Sequence, residues 1–209
     1  QTQLLANDVH HNDIGVRSSR VVGPANWDIN LSHLIHDNLV GVEALAGAEV
    51  RFNRVYANDV GVQVVGTSHI HHNLVYRNTG DGLLLSAATD VDVVNNTLHV
   101  LSGSGIRLEG PIANVHIRNN IVSTAGGFGL HVEPESQFGY ASDYNNFFAS
   151  GGGIAFQGKG FLDLYDWQVE AESDLHSRGT TVLDPTRDDP LFVDLAGDDY
   201  HLMSASTSI

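Results

Sequence analysis

The sequence contains no cysteine and a single lysine, Lys159. Without cysteine it can form neither disulfides nor a cysteine-ligated metal site. Lysine and arginine total 10 residues against 25 of aspartate and glutamate, which gives a formal net charge of −15. Nucleic acids and anionic membranes bind basic surfaces by releasing counterions, so this charge argues against both as partners.

Long apolar runs are also missing. No stretch approaches the length of about 18 apolar residues that a membrane-spanning helix needs. The first residues lack the basic and apolar regions of a signal peptide, so we expect a mature or truncated chain. Hydrophobic residues nevertheless make up 42% of the sequence and charged residues only 17%, which predicts a folded domain with a substantial core.

What the sequence does contain is an internal repeat of roughly 20 to 26 residues. Each repeat has a glycine followed by alternating apolar residues, at Gly15, Gly41, Gly61, Gly82, Gly105, Gly129 and Gly153. A second short element precedes the glycine, as in "IHHNLV" (70–75), "VVNNTL" (93–98) and "IRNNIV" (117–122). Short alternating strands separated by Asn, Gly and Asp leave no room for a long helix and predict a stacked solenoid.

Stacking of the repeats would place equivalent side chains above one another. We therefore expect an asparagine column whose amides hydrogen-bond along the axis, formed by Asn53, Asn73, Asn96 and Asn120 and continued by Asp143. We expect the repeated glycine to permit the backbone angles of a sharp turn. Both columns predict that each strand pairs in parallel with its equivalent in the next turn.

The repeats and the tail together resemble the right-handed parallel β-helix proteins of the pectate-lyase-like superfamily. The resemblance covers residues 5–156 through the repeats and continues in the tail, in "SDYNNFF" (142–148), "DWQVEAESDLHS" (166–177) and "DPLFVDLAGDDYHLMSAS" (189–206). It implies an all-β, right-handed, single-stranded parallel β-helix, secreted or at the cell surface. It also implies contact with a polysaccharide, as a lyase, epimerase or hydrolase or as a non-catalytic binder.

We expect residues 1–156 to form about seven β-helix turns and residues 157–209 to form a C-terminal cap and final turn of the same domain. The stretch "FLDLYDWQVEA" (161–171) has the apolar content of a short amphipathic helix. A solenoid end exposes core side chains and unpaired strands, which this cap would cover. The N-terminal end shows no comparable cap, so further β-helix turns or another chain are expected to cover it.

Outward side chains of a parallel β-helix form columns with one residue per turn, about 4.8 Å apart. Aligning the strands that follow the repeated glycine predicts one such column, made of Arg17, Glu43, Gln63, Leu84, Arg107, His131 and Ala155. Glu109 and Glu133 lie two residues further along their strands. The sequence therefore predicts an outward group on two adjacent turns, formed by Arg107, Glu109, His131 and Glu133.

This group has the residue types needed for acid–base chemistry on an acidic polysaccharide. His131 is the predicted proton shuttle, because histidine titrates near neutral pH. Arg107 is the predicted clamp for a substrate carboxylate, and Glu109 or Glu133 would orient His131. Glu43 and Gln63, earlier in the same column, are predicted to contact the polysaccharide. The alternative is a solvated surface of alternating charges.

A column of rings follows the asparagines, formed by His10, His36, Tyr56, Tyr76 and His99. Outward rings on successive turns suit sugar faces, so Tyr56, Tyr76 and His99 are predicted to bind the polysaccharide. The alternative is that the rings stack on one another and stabilise the fold. A zinc site is disfavoured, because the 12 histidines form no HExxH-type signature and column neighbours point in parallel.

Asp81, Asp90 and Asp92 are the candidate ligands for Ca²⁺, the cofactor that the resemblance implies. Lyase-like β-helices bind this ion through oxygen ligands on adjacent turns. The sequence has no D-x-D-x-D-G loop that would support the site independently.

Two functions stay open at this point. One is an enzyme, of the lyase or epimerase type, acting on an acidic glycan. The other is a non-catalytic structural or adhesion module of a larger secreted protein. The lack of a lysine base in the strand columns, of the "DPHD" signature of alginate epimerases and of paired Asp residues on neighbouring turns favours the module. The Arg107–His131 face favours the enzyme.

Overall fold

A computed structural model describes residues 6–24 and 31–208 of the chain. The predicted N-terminal end of the β-helix, residues 1–5, lies outside the described residues. Within them the chain folds into three sheets whose strands are stacked along one axis, with a short helix and a hairpin near the C-terminus. In this part of the chain, no helix has the length and apolarity needed to cross a bilayer.

The three sheets each take one strand from every turn. Sheet A contains β1 (Asp8–His10), β4 (Leu34–His36), β7 (Arg54–Tyr56), β10 (Leu74–Tyr76), β13 (Thr97–Val100), β16 (Ile121–Thr124), β19 (Asn146–Ala149) and β22 (Arg178–Gly179). Sheet B contains β2 (Ile14–Ser18), β5 (Val40–Ala44), β8 (Val60–Val65), β11 (Leu83–Ser86), β14 (Ile106–Glu109), β17 (Phe128–Val132), β20 (Gly153–Gln157) and β21 (Gly160–Phe161). Sheet C contains β3 (Val21–Val22), β6 (Ala48–Arg51), β9 (Ser68–His71), β12 (Thr89–Val94), β15 (Ala113–Arg118) and β18 (Tyr140–Asp143).

Strand β21 pairs antiparallel with β20, and every other strand of the three sheets pairs in parallel with its equivalents in the neighbouring turns. Val75 in β10, for example, is paired with Val55 on one side and Leu98 on the other. This parallel β-helix confirms the predicted all-β fold class. The described residues contain six complete turns, slightly fewer than predicted, because the chain passes from β20 and β21 into a helix without adding another strand to sheet C.

The core is a set of aliphatic columns inside the three sheets. In sheet B the inward column Val62, Leu83, Ile106 and Leu130 is paired turn by turn, and each of these side chains is 0% exposed. Burial of one such side chain stabilises the fold by roughly 1.5 to 3 kcal/mol. The alternation of inward and outward residues that fills this core also fixes the direction of the functional side chains.

The predicted asparagine column is present at the corner between sheets C and A. The Oδ1 atom of Asn96 accepts hydrogen bonds from the backbone N and the Nδ2 atom of Asn73, both at 3.0 Å. The ladder runs through Asn53, Asn73, Asn96 and Asn120. Its next member is Asn145, so the prediction of Asp143 was wrong. Asp143 is paired with Arg118 at the end of β18, two residues before the ladder position.

A second asparagine ladder, missed by the sequence analysis, lies at the corner between sheets A and B. Asn58 Oδ1 accepts from Asn38 N at 3.0 Å, and Asn78 Oδ1 accepts from Asn58 N at 2.9 Å. The repeated glycine lies just after this ladder. A Cβ at Gly61 would lie 2.5 Å from the carbonyl oxygen of Gly82, and the φ angle of Gly61 is not positive. Glycine is therefore required here because neighbouring turns approach closely. It is not required for the special backbone angle that the sequence had suggested.

The C-terminal segment covers the end of the core with helix α1 (Leu164–Ala171), which confirms the predicted helix. The carboxylate of Asp163 caps its first turn by accepting from Tyr165 N at 2.8 Å. Trp167 is fully buried, as expected, and its Nε1 donates to Asp174 Oδ2 at 3.0 Å. The Asp174 carboxylate also accepts from Ser177 Oγ at 2.6 Å, and Ser177 Oγ accepts from Asn145 N. Asp174 thus links the helix to the end of the asparagine ladder between sheets C and A.

Beyond the helix, an antiparallel hairpin folds back over sheet A. Its strands are β23 (Phe192–Asp194) and β24 (Asp199–Leu202). The Tyr200 ring packs on Tyr76 with ring centroids 4.8 Å apart. Arg77 holds the hairpin turn, because it donates to Ala196 O at 2.9 Å and pairs with Asp198 at 2.9 Å.

Candidate functional site

The predicted outward column runs along sheet B in the predicted register for six of its seven members. Strand pairing aligns Arg17, Glu43, Gln63, Leu84, Arg107 and His131. The next residue is Phe156, which is paired with His131, whereas Ala155 is paired with Leu130 and lies inside. The assignment of Ala155 was wrong, because β20 is displaced by one residue relative to the glycine that aligns the other strands.

The structure brings together the four residues predicted to form the site. Arg107 Nη2 pairs with Glu133 Oε1, and the same oxygen lies 3.3 Å from His131 Nε2. Glu109 completes the group, with its Oε2 atom 3.9 Å from Arg107 Nε and its Oε1 atom accepting from Ser86 Oγ at 2.9 Å. The buried Nε of Arg107 has no hydrogen-bond acceptor among the described residues. The group therefore retains one donor that its own members do not satisfy.

His131 lies in a half-buried position beside two phenylalanine rings. Its ring centroid is 4.7 Å from that of Phe156 and 6.0 Å from that of Phe128. Burial lowers the pKa of His131 below its ordinary value, and the charge of Arg107 acts in the same direction, while Glu133 opposes the shift. The imidazole is therefore neutral near pH 7 and is able to accept a proton.

Asp81 lies beside this group, although the sequence analysis assigned it to a metal site. Ser104 N donates to Asp81 Oδ1 at 2.7 Å, and Ser104 Oγ is 3.5 Å from His131 Nδ1. Burial raises the pKa of Asp81, while the hydrogen bond from Ser104 and the charge of Arg107 oppose this change. The corner that carries Asp81 thus adds a third half-buried carboxyl to the face of Glu109 and Glu133.

The remaining residues of the column are separated from the group by Leu84. Glu43 is half-buried and pairs with Arg17, and Gln63 lies between Glu43 and Leu84. Arg17 and Glu43 form a pair similar to that of Arg107 and Glu133. The predicted contact of Glu43 and Gln63 with a polysaccharide stays a prediction.

The ring column stacks on itself, and the C-terminal hairpin covers part of it. The ring centroids of Tyr56 lie 4.7 Å from His36 and 4.9 Å from Tyr76, with nearly parallel planes. Tyr76 is 4% exposed and His99 is 9% exposed, beneath Tyr200 and Phe192. Tyr76 and His99 thus point out of sheet A, but the hairpin buries the faces and edges that a sugar would contact. Polysaccharide binding by Tyr56, Tyr76 and His99 stays a prediction.

The three calcium candidates contact different partners. Asp81 faces the Arg107 group, Asp90 accepts from Asn114 Nδ2 at 2.7 Å, and Asp92 lies 3.2 Å from both His69 and His116. Across residues 6–24 and 31–208, no group of three or more His, Asp or Glu side chains is arranged to hold a metal ion. Calcium binding stays a prediction.

The sequence analysis missed a second column at the corner between sheets C and A. The residue before each ladder position points outward, and the column contains Phe52, His72, Asn95, Asn119, Tyr144 and His176. The first five have positive φ angles between 53° and 59°. These residues could have been found from the sequence, because each lies directly before a ladder asparagine or serine. At this position a residue in the left-handed backbone conformation turns the chain into the next strand.

A family model described as "Periplasmic copper-binding protein (NosD)" matches residues 3–182. No curated protein and no solved structure matches the chain. The match is consistent with the parallel β-helix, and the predicted resemblance to the pectate-lyase-like group stays a prediction.

Proposed function

The chain belongs to the NosD family of periplasmic proteins, and from this premise we propose that it is an extracytoplasmic β-helix module that binds a polysaccharide. The binding face in this proposal is the outward side of sheet B around Arg107, Glu109, His131 and Glu133. The observation that carries it is the convergence of these four side chains on adjacent turns.

The group offers both kinds of partner that sugar hydroxyls need. Carboxylate oxygens of Glu109 and Glu133 accept hydrogen bonds, and the Arg107 guanidinium donates them. His131 is neutral near pH 7, so its ring can donate or accept according to its tautomer. The stacked turns repeat about every 4.8 Å, which presents these groups along the axis to an extended chain.

The charges of the group favour binding through hydroxyls over binding through a carboxylate. Arg107 already pairs with Glu133 and lies near Glu109, so one cation faces two acidic side chains. A substrate carboxylate would have to displace Glu133 and lie close to Glu109, which costs electrostatic energy. The proposal therefore assigns hydroxyl recognition to this face, whereas the sequence had predicted that Arg107 clamps a carboxylate.

The family description raises copper as a second possible ligand. Copper(II) prefers about four nitrogen or oxygen ligands in a tetragonal arrangement. The described histidines instead form pairs, His10 with His11 and His71 with His72, whose Nδ1 atoms are 2.5 Å and 2.9 Å apart. His71 Nε2 also lies 3.1 Å from Glu49 Oε1, but no three His, Asp or Glu side chains in the described part of the chain are arranged to hold a metal ion. These residues do not fit a closed copper site, and the proposal includes no step through copper.

Catalysis is the second candidate function, and the neutral His131 beside Glu133 favours it. In a β-elimination, His131 would accept the proton from the carbon next to the uronate carboxylate, whose C–H electrons form the new C4=C5 double bond. The C4–O glycosidic bond breaks in the same reaction, and its oxygen leaves with a proton taken from water. Formation of the unsaturated uronate gives a new ultraviolet absorbance. Incubating the chain with alginate, pectate and chondroitin therefore separates a lyase from a binder.

Affinity electrophoresis of the full chain tests the proposed function. Gels would contain either a neutral polysaccharide, such as dextran or galactan, or an acidic one, such as alginate, pectate or chondroitin. We expect at least one polysaccharide to retard the chain, and His131→Ala or Arg107→Ala to weaken that retardation by about 10-fold or more. Arg187→Ala is the matched control, because it removes an exposed cation paired with Asp188 and should leave retardation unchanged. Equal retardation of the wild-type chain and of the three variants would overturn the proposal.

A further inference from the structure

A polar groove with a volume of about 470 Å³ lies at the corner between sheets C and A, near the C-terminal end of the β-helix. Its walls include the exposed amides of Asn95 and Asn119, the ring of Tyr144 and the hydroxyls of Thr207 and Ser208. None of its lining residues belongs to the Arg107 group on sheet B. The groove is therefore a separate place where a ligand could bind.

The buried amide of Asn146 lines the groove. Asn146 is only 6% exposed, and its Nδ2 donates to Asp188 O at 2.9 Å and to Ser208 Oγ at 2.5 Å. Both amide hydrogens are thereby used, which fixes the orientation of the side chain. The Oδ1 atom of Asn146 is buried and has no partner among the described residues. A buried acceptor of this kind is rare in folded proteins, and a hydroxyl or amine brought into the groove would satisfy it.

The guanidinium of Arg178 lines the same groove. The exposed Arg178 donates from Nη1 to Thr207 O at 3.1 Å and forms no ion pair with any described residue. In a chain with a net charge of −15, such a guanidinium is a local site for an anion. Its planar set of donors matches a carboxylate.

Two stacked rings form a wall of the groove. Tyr144 and His176 have ring centroids 4.9 Å apart and an interplanar angle of 6°. His176 is held in place by Asp143, whose Oδ2 lies 2.7 Å from its Nδ1. Because the two rings support each other, they present a preformed aromatic surface beside the exposed amides.

We propose that this groove binds a sugar residue bearing a carboxylate, such as a uronate. The carboxylate pairs with Arg178, a ring hydroxyl donates to Asn146 Oδ1, and further hydroxyls bond to the exposed amides of Asn95 and Asn119. The groove proposal rests on the proposed function, polysaccharide binding, because the uronate would be one unit of a longer polysaccharide. It deepens that function, because acidic sugars would be recognised at Arg178 and neutral hydroxyls at the Arg107 group.

The test is an NMR titration of the full chain with D-galacturonate and, in parallel, with its neutral counterpart D-galactose. We expect galacturonate to shift the His176 ring resonances and to bind about 10-fold more tightly than galactose. Arg178→Gln should remove this preference, and Arg178→Lys, which keeps the charge, should retain part of it. Arg17→Gln is the control, because it removes one exposed cation from sheet B and should change neither affinity.

Two outcomes of these titrations would contradict the groove proposal. Equal binding of galacturonate and galactose would show that Arg178 does not recognise the carboxylate. Binding of acetate as tight as that of galacturonate would show that the sugar hydroxyls, and hence Asn146, contribute nothing. The His176 ring resonances report binding in the groove and the His131 ring resonances report binding at sheet B, so a failure of the sheet B proposal is distinguishable from a failure of the groove proposal.

Discussion

The asparagine ladder between sheets C and A shows how single residues hold neighbouring turns together. Asn96 donates from Nδ2 to Ile70 O at 2.8 Å and to Asn120 Oδ1 at 3.1 Å, while its own Oδ1 accepts from Asn73. The side chain is 1% exposed. It thus satisfies backbone groups at a corner where the strand hydrogen bonds are interrupted.

Asn96→Ala should destabilise the fold by about 3 kcal/mol, because it leaves the Asn73 amide and the Ile70 carbonyl buried without partners. Asn96→Asp should destabilise it by a similar amount, since the carboxylate keeps the acceptor but places negative charge against Ile70 O and Val94 O. Chemical denaturation measures both changes. Thr89→Ala, at an exposed position of β12, is the control and should change the free energy of unfolding by less than about 0.5 kcal/mol. A ladder variant as stable as this control would contradict the account.

The sequence correctly predicted the ladder asparagines and the outward residues of sheet B wherever local spacing alone decides their position. Asn53 to Asn120 follow a regular repeat, and outward alternation places Arg107 and His131 on one face. Asp143 was chosen wrongly because "SDYNN" offers several polar residues and only strand pairing shows that Asn145 is in register. Arg178 and Asn146 could not be predicted as a pair, because the tail residues around Thr207 and Ser208 reach them only in the folded chain.

At the scale of elements, the C-terminal hairpin changes the role of the ring column. The sequence shows alternating residues in "FVDLAGDDYHL", which is enough to suggest strands but not the surface they cover. Docking depends on Arg77, which contacts the hairpin turn from more than one hundred positions away in the sequence. The hairpin converts Tyr76 and His99 from surface rings into buried ones.

Docking of the hairpin should be sensitive to acid through His99. Burial lowers the pKa of His99 below its ordinary value of 6.5, and Arg77 acts in the same direction, while Asp198 opposes the shift. The unfolded or undocked state therefore takes up the proton first. The stability contributed by the neutral ring is present above about pH 6.5 and is lost as the pH falls below that value.

His99→Phe should remove this dependence, because phenylalanine keeps an aromatic ring beneath Phe192 and Tyr200 without a titrating group. Hydrogen exchange of residues 192–202 at pH 7 and pH 5 measures the docking. We expect the exchange protection to fall at pH 5 in the wild-type chain and to change less in the variant. His201→Phe is the control, because His201 is exposed on the same hairpin. An equal loss of protection in wild type and His99→Phe would contradict this role of His99.

For the whole molecule, stacking means that a ligand lying along the axis contacts the same face of several turns. Each turn contacts chiefly its neighbours, and the sheet B face and the corner groove belong to the same solenoid. The fold class was predictable because the repeat period and the alternation agree at every turn. The chemistry of the faces was less predictable, because ion pairing between turns decides which charges stay available to a ligand.

The central claim is that the Arg107–His131 face of sheet B binds the polysaccharide. The most direct measurement is the NMR spectrum of the histidine rings during titration with oligosaccharides prepared from the polysaccharide that retards the chain in gels. We predict that the His131 ring resonances shift with saturation, while those of His201, exposed on the hairpin, stay unchanged. Saturable binding of the oligosaccharide with no change at His131 would contradict the account.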